Sequence, residues 1–259
     1  MIDRRFTEAL HVSSLRRLDA YASHDPHVLF QASTIGALMD GRLDGDLTVA
    51  ELAGQGTLGL GTFDGLDGEM IVLDGRVMRA DVEGHVTDAE PERGTPFAVV
   101  VEFAAEVEFD LGEPHSHDEL LAAIERAIPA GTTTCAVRVD GEFESVRARS
   151  VPRQEPPYRS LDEVARDQRV FDLSDVTGTM VGFRFPDHAA GIELPGFHLH
   201  FVSADRKRGG HVLDARIRRA SVALDPASSL QVELPAGVDL DSPELHEDAK
   251  RALRAAEGG

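Results

Sequence analysis

A single cysteine, Cys135, denies this 259-residue chain an intramolecular disulfide. It lies in an apolar alternation, Cys135-Ala136-Val137, which reads as a buried inert thiol rather than a nucleophile. Tryptophan is absent, tyrosine occurs twice and aromatics make up 5% of the chain, so no stacking platform for nucleic-acid bases is offered. Basic residues are scarce beside acidic ones, 26 against 46, for a net charge of −20. That field repels nucleic acid and anionic membranes, and neither is an expected partner. It also repels anionic substrates, so one that binds needs a local cation, a metal or an arginine. No stretch approaches the roughly 18 apolar residues of a membrane span. Arg4 and Arg5 precede no apolar signal core, so a cytoplasmic location is expected.

Glycine is abundant in one place, with six residues between Gly54 and Gly68. No Lys-Ser or Lys-Thr follows, which argues against a phosphate loop. The letters G-x-G-x-x-G at Gly54, Gly56 and Gly59 lack a clear strand before and helix after them. Closely packed backbone with tight turns between short strands is the better reading. Beyond it, Glu69–Leu73, Asp74-Gly75 and Arg76–Ala80 predict a hairpin.

Elsewhere the pattern predicts a strand or short helix over Val28–Met39 and a short helix or strand over 47–53. It predicts one strand over Phe97–Phe109 and a helix capped by Ser116 with Glu119 and stopped by Pro129. Thr132–Phe143 reads as a strand and hairpin around Asp140-Gly141, continued to Pro152. The proline-rich stretch from 153 and the helix behind Ser160 read as a boundary. Short strands then recur: 179–185, 192–194, 197–203, 211–215, 216–224 and 230–234. The expected fold is α/β of the α+β type. A peripheral segment, 1–27, precedes a mixed α/β domain, 28–169. An antiparallel barrel-like metal-binding domain, 170–240, and a C-terminal helix and tail, 241–259, reaching the active site, complete it. Ser242 and Pro243 start that helix and Glu257 ends it, where the helix dipole disfavours a carboxylate.

The chemistry concentrates at Phe197-His198-Leu199-His200-Phe201. Alternation on a strand puts His198 and His200 on one face and the apolar residues on the other. A return through the turn 205–210 brings His211 alongside. Three imidazoles make a protein set for catalytic zinc with positions left open. They also suit iron, nickel, manganese or copper, and zinc rests on its commonness and the lack of redox partners. His115 and His117 flank a helix cap with no third histidine near in sequence, which favours capping or solvent roles. Arg147 and Arg149 share a strand face opposite Val146 and Ala148.

GTFDGLDGEM at 61–70, RSVP at 149–152 with Gln154, Pro157 and Tyr158, and GFHLHF and GGHVLD at 196–201 and 209–214 together resemble the alpha-acetolactate decarboxylase family. The resemblance runs from about Gln31 to the C-terminal helix. It implies zinc on His198, His200 and His211, with no organic cofactor. It further implies active-site glutamates at Glu69 and Glu257, an arginine at Arg149, Thr62 lining the site, and a homodimer. The implied reaction takes a small anionic hydroxy-keto acid, 2-acetolactate, to (R)-acetoin and CO2. Zinc would stabilise an enediolate that a glutamic acid then protonates. Two other readings stay open on the residues alone: a zinc hydrolase using metal-bound water, and a non-catalytic ligand-binding barrel with a structural metal.

Overall fold

The computed structural model describes residues 10–13 and 26–234. The predicted C-terminal helix and Glu257 lie outside them. Among the described residues no helix is long and apolar enough to cross a membrane.

Two sheets stack around a shared apolar layer. The first has eight strands in the order β1-β16-β2-β9-β4-β5-β6-β7. Its members are β1 (Leu10–Ser13), β2 (Val28–Ala32), β4 (Leu58–Thr62), β5 (Glu69–Leu73), β6 (Arg76–Ala80), β7 (Val86–Asp88), β9 (Phe97–Val101) and β16 (Ser229–Glu233). β1–β16 and β16–β2 are parallel and the other pairs antiparallel, so the sheet is mixed. A two-stranded ribbon, β3 (Leu47–Thr48) with β8 (Gly94–Thr95), stands apart. The predicted hairpin at Asp74-Gly75 is present, with Asp74 and Gly75 both at positive φ.

The second sheet runs β10-β15-β12-β13-β14, with β11 also on β15. These are β10 (Val107–Leu111), β11 (His115–Ser116), β12 (Cys135–Ser150), β13 (Arg169–Phe185), β14 (Gly196–Ser203) and β15 (Gly209–Pro226). All its pairings are antiparallel, as expected, but it is not a closed barrel. Closure needs one strand to take the far edge of β15 along its length. That edge is instead shared: residues 209–211 pair with β14, Arg216 and Ile217 with β11, and Ala220–Leu224 with β10. Sheet membership also crosses residue 170 both ways, since β10 to β12 belong to the second sheet and β16 to the first.

Several expected elements differ. The strand predicted over 97–109 is two strands, β9 and β10, in different sheets. Asp140-Gly141 is not a turn, because β12 continues straight through it. Asp140 instead accepts from the Thr179 hydroxyl at 2.6 Å across the β12–β13 ladder. Residues 192–194 form only an isolated bridge, and 216–224 continues β15. Part of the glycine-rich stretch is strand: β4 lies so close to β9 that a Cβ on Gly59 or Gly61 would sit 2.2 or 2.4 Å from a β9 carbonyl oxygen.

Alternation divides the side chains into three apolar layers. Leu58, Leu60, Ile71, Leu73, Val99 and Val101 of the first sheet meet Val181, Phe183 and Val202 of the second. Helices α1 (Ile35–Met39) and α4 (Leu161–Ala165) contribute to this middle layer. The first sheet's other face, with Met70, Val72 and Val100, is covered by α2 (Val49–Ala53), which Thr48 and Glu51 start as a capping box. The second sheet curls around Val137, Phe143, Ala148, Leu199 and Phe201. Leu120 and Ile124 of α3 (His117–Ala127) cap this layer. The Ser116–Glu119 capping box appears as predicted. Cys135 is fully buried there, and burial pushes its thiol up to about 12, which fits an inert role.

Candidate metal centre

The middle apolar layer turns polar at one end, and each polar residue there continues an apolar stripe. On β14 the stripe runs Val202, His200, His198, while Leu199 and Phe201 face the second sheet's own core. On β5 it runs Leu73, Ile71, Glu69; on β4 it runs Leu58, Leu60, Thr62. Thr62 and Glu69 are cross-strand partners. On β12, Ala148 faces the second core, so Arg149 faces the same way as Val151, into the middle layer. The sequence-predicted residues Thr62, Glu69, Arg149, His198, His200 and His211 are all buried.

Pairing brings the histidines together. His200 lies directly opposite His211 on β15, and His211 lies opposite Arg149 on β12. Directly opposed residues share a face. The ring centroids are 5.1 Å apart for His198–His200, 5.0 Å for His198–His211 and 5.3 Å for His200–His211. The three residues each offer a ligand atom within 4.8 Å of the others. His200 Nε2 is 3.3 Å from His198 Nε2 and 3.5 Å from Glu69 Oε2.

The donor set fits zinc. Two nitrogens each roughly 2.0–2.1 Å from a tetrahedral ion lie about 3.3–3.4 Å apart. The His198–His200 separation matches that spacing. His200 Nδ1 lies 2.7 Å from the Met70 carbonyl oxygen, which can only accept, so Nδ1 carries the proton. That leaves the Nε2 lone pair directed at the other imidazoles, as a metal ligand requires. Thiolates are absent from the set, and four-ligand closure typical of structural zinc is not seen among the described residues.

Thr62 donates its hydroxyl hydrogen to the Gly68 carbonyl at 2.9 Å, closing the loop that leads into Glu69. The Met70 carbonyl leaves no mark in the sequence, since a backbone acceptor carries no side-chain signal. His115 and His117 stand apart from the cluster. His115 Nδ1 lies 2.6 Å from the Glu113 carbonyl oxygen, and burial lowers the His117 imidazole's affinity for a proton. A second cation-competent group, Asp81, Glu83 and His85, is largely exposed, and Glu83 pairs with Arg169.

Known proteins resemble this chain over nearly its whole length. The profile of the family described as alpha-acetolactate decarboxylase matches residues 29–247. The chain is 43% identical over 235 residues to alpha-acetolactate decarboxylase of Methylococcus capsulatus, covering 90% of each chain. It is likewise 43% identical over 230 residues to the Methanosarcina mazei protein of that name, covering 89% of this chain and 80% of that one. The crystal structure of the Bacillus subtilis strain 168 alpha-acetolactate decarboxylase superposes with a TM-score of 0.84 at 32% identity. That match covers 90% of this chain and 100% of the other. With sequence and fold in agreement, the chain belongs to the alpha-acetolactate decarboxylase family, and it is an enzyme of the carboxy-lyase class.

Proposed function

We propose that this enzyme decarboxylates 2-acetolactate (2-hydroxy-2-methyl-3-oxobutanoate) to (R)-acetoin and CO2, using zinc held by His198, His200 and His211. The carrying observation is a buried three-imidazole cluster with the Glu69 carboxylate 3.5 Å from His200. When bound, zinc would supply Lewis acidity toward the substrate's ketone and hydroxyl oxygens. The bond between C2 and the carboxylate breaks, and its electron pair moves into the neighbouring ketone to give an enediolate. Arg149, facing the same space as His211, would hold the carboxylate until it leaves as CO2. Glu69 as the acid would then deliver a proton to C2 from one face, fixing the configuration of acetoin. Thr62 lines the floor beside Glu69 and fixes its loop through Gly68. Glu257 is kept as the second glutamate on the family resemblance. The adjacent ketone already serves as an electron sink, so no organic cofactor is required. The homodimer implied by the resemblance is part of the same proposal.

The test combines metal exchange with Glu69→Gln. Acetoin and CO2 formation should stop on chelation and return with zinc. Glu69→Gln should keep its zinc and lose turnover by about 10²- to 10⁴-fold, the range for a positioned proton donor. Full turnover in Glu69→Gln removes the donor role, and activity unaffected by chelation removes the metal role. Retention of ester or amide hydrolysis without CO2 release would favour the hydrolase reading.

A further inference from the structure

The loop Phe63–Gly68 carries a charge cluster that the reaction above does not use. Arg79 of β6 donates from Nε to the Asp67 carbonyl at 2.7 Å and from Nη2 to Asp67 Oδ1 at 2.5 Å. Arg93, just before β8, donates to Asp67 Oδ2. Arg153 Nη1, just beyond β12, lies 3.8 Å from the same oxygen. Three guanidinium groups from three separate segments thus converge on one largely buried carboxylate. Arg93 also sits 5.1 Å over the ring of Phe63, which is fully buried at the loop's start.

The loop needs such restraint. Gly65, Leu66 and Gly68 take positive φ values of 68°, 55° and 95°. For Leu66 that region is costly, and it persists only where the surroundings over-determine it. At Gly68 a Cβ would lie 2.4 Å from the Ala80 carbonyl oxygen. The Gly65 carbonyl accepts from Gln154 N–H at 2.6 Å. One end of the loop is Thr62 and the other Glu69, while Arg153 and Gln154 follow Arg149 closely in the chain. The cluster therefore joins the segment bearing Glu69 to the segment bearing Arg149.

We propose that Asp67 is a positioning residue for the decarboxylation: clasped by Arg79, Arg93 and Arg153, it sets the Glu69 carboxylate against the histidines and fixes it relative to Arg149. This rests on the reading of Glu69 as proton donor. Asp67 touches no reacting atom and acts through the loop. Asp67→Asn keeps the shape and removes the charge, so the loop relaxes while the surplus arginines continue to favour an anionic substrate.

The experiment is a double-mutant cycle of Asp67→Asn and Glu69→Gln in the zinc-loaded enzyme, with zinc content measured throughout. Asp67→Asn should lower kcat by about 10- to 100-fold, the scale of a misplaced reacting group. KM should stay within about twofold, the sign of a loss confined to the reacting step. In the Glu69→Gln background, Asp67→Asn should cost nothing further. In metal-free protein the His200 ring resonances should move in Asp67→Asn as they do in Glu69→Gln. Additive losses, or parental kcat in Asp67→Asn, overturn the proposal while leaving the Glu69 reading intact. Parental turnover in Glu69→Gln overturns both. Should Asp67→Asn fail to fold, Arg153→Gln at the exposed rim repeats the cycle, and additivity there overturns the proposal equally.

Discussion

Arg149 sets a buried guanidinium opposite His211 in a chain whose net charge is −20. Its position opposite His211 follows from a ladder, so it is held by backbone pairing on both sides of β12. Guanidinium recognises a carboxylate through two parallel N–H bonds, whereas an ammonium offers a point charge. Arg149→Lys should therefore keep the attraction and lose the orientation. We expect kcat/KM to fall by about 10- to 100-fold, or about 1.4–2.7 kcal/mol of transition-state binding, with Arg149→Met falling further. Steady-state kinetics on acetolactate check this, and a lysine variant with parental kcat/KM would show that charge alone suffices. At this scale the sequence is highly legible: period two alone pairs His198 with His200 and sets Arg149 on the face opposite the core-facing Val146 and Ala148. Asp67 was not legible, because its three arginines are 12, 26 and 86 positions away and meet only through the fold.

Elements carry information that residue patterns hide. In β15, Val212 and Ala215 both face the second core although they are three residues apart. Strict alternation cannot do this, and the ladder shows how it is done. Arg147 pairs with Asp214 but Ala148 pairs with Val212, so Leu213 is an extra residue. This bulge switches the face of everything before it and turns His211 toward His198 and His200. The turn to His211 was readable from sequence, but the bulge was not, because nothing in Val212-Leu213-Asp214 marks it. The open edge of the second sheet is hidden from the sequence for a similar reason. Short strands at regular spacing look alike whether they close a barrel or share an edge in series, as β14, β11 and β10 do on β15. The glycines of β4 read as tight backbone between turns, because at Gly59 and Gly61 one face of the strand carries no side chain and is filled by the approach of β9. Their role gives a stability prediction. In Gly59→Ala the new methyl carbon would meet the Val99 carbonyl oxygen at 2.2 Å and the Val100 Cα at 2.8 Å, both in β9. Backbone must shift, at a cost of about 1–3 kcal/mol. For a chain of this size the melting temperature should drop by roughly 2–12 °C, measurable by thermal unfolding. An unchanged melting temperature would mean that β4 and β9 separate freely.

At the scale of the molecule, the two sheets must hold their spacing for Glu69 to face His200, and one contact away from the site pins them. His27 lies immediately before β2 of the first sheet, and Asp225 lies near the end of β15 of the second. His27 Nδ1 is 2.5 Å from Asp225 Oδ1, and Ala104 N–H donates to Oδ2 at 2.9 Å. The His27 carbonyl accepts from Ser228 N–H at 2.8 Å, which ties the same residue to the approach to β16. The hydrogen bond to Asp225 holds the His27 imidazolium above its ordinary range, against the opposing effect of burial, and the charges of Asp225 and Glu106 add to it. Asp225 is itself raised, because burial outweighs the Ala104 and His27 bonds. The two groups share one hydrogen bond and take up and release protons as a pair. The folded protein binds the His27 proton more tightly than the unfolded chain does, so the contribution from His27 is fully present below about pH 6.5, the ordinary histidine value. It is lost as pH rises through the higher folded-state value. His27 has a positive φ of 68°, which asparagine tolerates, so His27→Asn removes the titration without imposing a new backbone conformation. In metal-free protein, melting temperature followed from pH 5.5 to 8.5 should show the parent losing its advantage over His27→Asn as pH rises. Every group other than residue 27 is common to the two proteins, so its contribution cancels in the difference. A difference between the two that is flat with pH would show that folding does not change how tightly His27 holds its proton, and that the sheets are pinned by shape rather than by charge.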